Sequence, residues 1–102
     1  MNVFKLGITI VMTINLSISI YSQEFDQVNF IHDGIDREYL VYIPNVYDSS
    51  ESIPLVLNFH GFGITAYNHY SYTSDMTSLA DTANFLLVYP QGAAGSDGYS
   101  HW

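Results

Sequence analysis

Cysteine is absent from the 102 residues, so no disulfide staples the chain and no thiolate is at hand for metal or nucleophilic chemistry. Cations are nearly absent too, with two Lys plus Arg against ten Asp plus Glu and a formal charge of -8. That deficit argues against nucleic acid and polyphosphates, which need clustered cations, and against anionic membrane surfaces. The four histidines, His32, His60, His69 and His101, are too scattered for a local ligand motif, so no metal and no cofactor are expected. Gly92, Gly95 and Gly98 space a loop, but the lysine of a phosphate loop is missing from it. What is present is a composition that is 48% hydrophobic and 16% aromatic but only 12% charged. Such a chain packs a core rather than staying a disordered acidic tail.

Lys5 precedes an apolar stretch from Leu6 to Ile20 that is interrupted by Thr9, Thr13, Asn15, Ser17 and Ser19, and small Ser22 stands before Gln23. This pattern predicts a cleaved secretion signal over residues 1–22 and a mature part over 23–102, extracellular or periplasmic. A membrane span needs about 20 mostly apolar residues, which this run does not supply, and the alternative to cleavage is an uncleaved anchor. Once Lys5 is removed, Arg37 is the one cation left.

In the mature part, QVNFIH over 27–32 and REYLVYI over 37–43 alternate apolar and polar residues, placing Val28 with Phe30, and Tyr39 with Val41 and Ile43. Asp33-Gly34 between them predicts a hairpin with a type I′ turn, which needs positive φ at both central residues. Two different strands follow. PLVLNFH over 54–60 and FLLVY over 85–89 are nearly unbroken apolar runs, expected of strands buried on both faces of a parallel sheet. Between them, Met76, Leu79, Ala80 and Ala83 recur at helical spacing and predict one amphipathic helix. Ser71 or Thr73 is expected to cap its start, Asp75 to suit its positive end, and Asn84 to end it in the left-handed region. Strand, helix and strand make a parallel βαβ unit. The chain from Gln91 onward reads as loop.

His60-Gly61-Phe62-Gly63 directly follows the first buried strand, and open α/β sheets place ligand sites at the carboxyl ends of their strands. Glycines there let the backbone turn and expose N–H donors of the kind that stabilise an oxyanion in acyl transfer. The plain alternative is a turn with a hydrogen-bonded histidine. A nucleophile elbow, G-x-S-x-G, is absent. Its nearest approach, Gly98-Tyr99-Ser100-His101-Trp102, has Trp in place of the second glycine. Capping and solvation account for Ser71, Ser74 and Ser78, while Asp97 and Trp102 either pack and solvate the surface or face a substrate.

From Asp33 to Gly92 the segments DGIDREYLVYIP, PLVLNFHGFG and SLADTANFLLVYPQG resemble, in order and spacing, the amino-terminal third of secreted polyhydroxybutyrate depolymerase-like and feruloyl or acetylxylan esterase-like α/β-hydrolases. Trp102 is similar to the Trp that often follows this loop. The resemblance implies an α/β fold, specifically the amino-terminal part of an α/β-hydrolase fold: an opening hairpin, then a parallel βαβ unit, incomplete as it stands. It implies a serine carboxylic-ester hydrolase acting on a polyester or a cell-wall polysaccharide ester, with its triad further along than Trp102 and no catalytic residue in this stretch. Gly61 and Phe62 fall in the oxyanion loop by position, with the Phe62 N–H as the best donor. Side-chain bulk at Gly61 is then expected to displace that loop. The alternatives are a small secreted carbohydrate-binding module, using its Tyr residues and Trp102 as stacking surfaces, and a nonfunctional remnant.

Overall fold

The computed structural model describes residues 25–102, and the expected signal over 1–22 lies outside them. Strands β1 (Asp26–His32) and β2 (Ile35–Tyr42) form the hairpin, with Asp33 at φ 51° and Gly34 at φ 75°, as a type I′ turn requires. Strands β3 (Leu55–Leu57) and β4 (Leu86–Pro90) pair in parallel, Leu55 opposite Leu86, and β4 also pairs antiparallel with β2. The sheet is therefore mixed, in the order β1-β2-β4-β3. Between the parallel strands run a short α1 (Ala66–Asn68), a π-helical turn over His69–Thr73, and α2 (Thr77–Ala83). A second pair, β5 (Ala93–Ala94) with β6 (Ser100–His101), replaces part of the loop expected after Gln91.

The helix differs from its expected form by one residue of phase. Residues 77, 80, 81 and 84 face inward, with Thr77 and Ala80 buried, whereas Leu79 and Ala83 of the apolar stripe are exposed. The cause is Asp81. Its carboxylate accepts the Tyr42 hydroxyl at 2.9 Å from each oxygen and the Asn45 N–H at 2.9 Å, which fixes the roll of α2 against the end of β2. Asp75, not Ser71 or Thr73, closes the helix start, because its Oδ1 accepts both the Thr77 N–H (2.9 Å) and the Thr77 hydroxyl (2.7 Å). Ser71 and Thr73 lie in the π-helical turn. Asn84 ends the helix at φ 55°, ψ 69°, in the left-handed region.

Tyr42, Ala66, Ala80, Phe85, Leu87 and Tyr89 are buried, and Phe25 and Tyr70 pack on them with ring centroids 4.3 Å apart. All of this lies on one face of the sheet. The opposite face is bare: Leu55 is 59% and Leu57 49% exposed, and with Phe30, Tyr39, Val41 and Val88 they line a shallow groove of about 630 Å³. The parallel strands are thus covered on one side only among the described residues, which overturns burial on both faces. Phe30, Tyr39 and Val41, from the alternating apolar positions of the hairpin, line this bare side.

Tyr89 joins the sheet to the segment before α2. Its hydroxyl donates to the Ser74 carbonyl at 2.6 Å and accepts the Met76 N–H at 3.1 Å. Burial pushes its pKa above the usual 10.0. The fold therefore favours the neutral phenol, a contribution that is whole below pH 10 and lost as the pH rises through the folded-state value. The midpoint of chemical unfolding should fall above about pH 10, the usual tyrosine value, and fall less in Tyr89→Phe. An equal alkaline fall in both proteins would assign the effect to other tyrosines.

Candidate oxyanion-type turn

Parallel strands end on the same edge of a sheet, so the residues that follow β3 and those that follow β4 become neighbours. The backbone of β3 keeps its place beside β4 through Asn58, whose N–H donates to the Val88 carbonyl at 2.8 Å. Beyond it the expected strand stops. Asn58 turns its amide to other partners, donating to Ser74 Oγ at 2.9 Å and accepting the His69 Nε2–H at 2.8 Å. The turn from His60 to Gly63 then lies against Gln91 and Gly92, which follow β4.

His60 is buried, 3% exposed. Its Nε2 accepts the Gly92 N–H at 2.9 Å, with the Gln91 side-chain nitrogen at 3.3 Å. A nitrogen that accepts carries no proton in the neutral ring, so the proton sits on Nδ1 and is donated to the Gly61 carbonyl at 2.7 Å. Gln91 ties a third element in, since its Oε1 accepts the Ala66 N–H at the start of α1 at 2.7 Å. Trp102 donates its indole N–H to the His60 carbonyl at 2.9 Å and lays its ring 4.9 Å from the imidazole and 4.8 Å from Phe59.

Three backbone donors follow His60. The Gly63 N–H is taken by the Ser100 carbonyl at 2.8 Å. The N–H groups of Gly61 and Phe62 carry no hydrogen bond among the described residues, and both residues are exposed. Each belongs to a peptide whose carbonyl is held, that of His60 by Trp102 and that of Gly61 by the His60 ring. Carbonyl and N–H point in opposite directions across a trans peptide, so both free donors turn away from the groups that hold the carbonyls, the indole N–H and the imidazole. Fixed, unpaired donors on an open turn are what a developing negative charge requires.

The two glycines of the turn have different reasons. Gly63 adopts φ 78°, which strains any other residue, whereas Gly61 lies outside the left-handed region and a Cβ there meets nothing within 4 Å. A Cβ at Gly61 is therefore not itself forced against the loop. Gly92 is crowded by backbone, because a Cβ would stand 2.7 Å from the His101 carbonyl oxygen and 3.2 Å from His60 Cε1.

Ser100 sits in β6 and meets the turn through its carbonyl. Asp97 accepts the Tyr99 N–H at 3.0 Å and lies 3.9 Å from His101 Nε2 on the surface. Among the described residues no three histidine or acidic side chains gather as a metal would need. The parts that sequence reasoning missed, Gln91 and Gly92 as partners of His60 and Trp102 as a donor, share one signal, the common edge of the parallel pair. No protein-family model matches the chain, and no curated protein matches it.

Proposed function

We propose that this chain is the amino-terminal part of a secreted serine carboxylic-ester hydrolase of α/β-hydrolase type, acting on a polyester or on a cell-wall polysaccharide ester. The observation that carries the reading is the pair of unpaired backbone donors at Gly61 and Phe62, held at the carboxyl end of a parallel strand with their carbonyls anchored. The bare apolar face of the sheet supports the same reading, since a parallel pair of this kind is stable with cover on both sides. In the reaction these donors take the charge that forms on the ester carbonyl oxygen when a serine attacks, while the serine and its base come from further chain. His60 is no base here, because its Nε2 lone pair is held by the Gly92 N–H and its Nδ1–H by the Gly61 carbonyl. Exposed Phe62 and Tyr99, their rings 5.4 Å apart beside the donors, suit a substrate with a flat apolar or sugar face.

The test is hydrolysis of an activated acetate ester, together with labelling by a phosphonate that traps active serines. The product of the whole reading frame should turn over the ester and take up the label, and residues 23–102 alone should do neither. A whole product that neither hydrolyses the ester nor takes up the label would overturn the reading.

A further inference from the structure

We propose that Trp102 is a positioning residue for the oxyanion donors, a role that rests on the ester-hydrolase reading above. The indole N–H holds the His60 carbonyl at 2.9 Å, and that carbonyl shares its peptide with the Gly61 N–H. Rotation of this peptide would swing the donor away from the open side of the turn. No other hydrogen bond holds this carbonyl among the described residues. The indole also covers the His60 ring at a centroid distance of 4.9 Å, and that ring in turn holds the Gly61 carbonyl and so the Phe62 N–H. One side chain thus fixes the first donor directly and the second through His60.

The segment that carries Trp102 is itself fastened to the same turn. Its Gly92 N–H meets His60 Nε2 and its Ser100 carbonyl takes the Gly63 N–H. The surplus donor of the turn is removed and the two useful ones remain. Trp102 touches no reacting atom in this arrangement. Its effect is on the direction of the N–H groups, which matters more as the carbonyl oxygen gains charge than when it is neutral.

The experiment is site-specific replacement of Trp102 in the product of the whole reading frame. Benzothienylalanine keeps the shape of indole and puts sulfur in place of the N–H, whereas 5-fluorotryptophan keeps the N–H. The sulfur analogue should lower kcat about tenfold, a partial loss of the oxyanion effect, with KM within about twofold, as for an interaction made in the transition state. The fluorinated analogue should retain the original kcat. Both should melt like the parent, which a general loosening of the fold would not allow. An active parent whose sulfur analogue keeps kcat within twofold, or whose loss lies in KM, overturns the role of Trp102 alone. An inactive parent overturns the hydrolase reading and this proposal with it.

Discussion

Leu57→Lys should leave the stability of the 102-residue chain within about 0.5 kcal/mol of the parent, as for exposed positions elsewhere, and should raise its solubility. Leu57 is 49% exposed on the bare sheet face, so an ammonium there stays in water while one apolar side chain is taken from the patch. β3 is also an edge of the sheet, and a lysine on an open edge discourages pairing with another chain. The same substitution has the opposite outcome in the longer protein proposed above. There the face would be covered, and the lysine would lose water without gaining a partner, at a cost of about 3 to 5 kcal/mol by analogy with an uncompensated buried charge. Chemical denaturation of both lengths, with sedimentation to follow self-association, gives the comparison. An equal and small effect in both would mean that this face stays open and that the hydrolase architecture is the wrong reading. A large loss in the short chain would mean that Leu57 is not open to water in that chain.

Much of this architecture was legible because it depends on local chemistry. Asp33-Gly34 specifies its turn by backbone conformation alone, Asn84 ends α2 the same way, and the unbroken apolar runs mark the parallel pair. The phase of α2 was not legible. An apolar stripe predicts which side is buried only when polar residues have no better offer inside, and Asp81 finds the Tyr42 hydroxyl, 39 positions away in the chain. The two-faced burial of β3 and β4 failed for a related reason, since an apolar run reports what a strand can tolerate on each side rather than what lies there. At the candidate site, the position of His60-Gly61-Phe62-Gly63 after the first parallel strand was readable, but its partners were not. Gln91, Gly92 and Trp102 meet it only because the parallel pairing brings two distant strand ends together.

Gly92→Ala, rather than Gly61→Ala, should be the damaging glycine substitution for ester turnover. A methyl group at Gly92 would stand 2.7 Å from the His101 carbonyl oxygen and 3.1 Å from its carbon, both backbone atoms that cannot swing aside as a side-chain tip would. Relief requires the loop after β4 to move away from β6, and the Gly92 N–H leaves His60 Nε2 as it moves. Only the longer contact from the Gln91 amide then holds His60 Nε2 as an acceptor, so donation to the Gly61 carbonyl is weakly enforced and the Phe62 N–H loses its aim. Loss of one oxyanion donor costs roughly 2.7 to 4 kcal/mol, or about 100- to 1,000-fold in kcat, and KM should change little. Gly61→Ala is the control, because its Cβ enters open space at an ordinary φ and the protein should fold as before. Gln91→Ala supplies a milder disturbance of the same cluster without the backbone clash, and it should fall between the two. Steady-state kinetics of the three variants in the product of the whole reading frame, each with a thermal melt, orders them. A folded Gly92→Ala enzyme with kcat within about threefold of the parent, far short of a lost donor, would show that the clamp on His60 does not present the Phe62 donor.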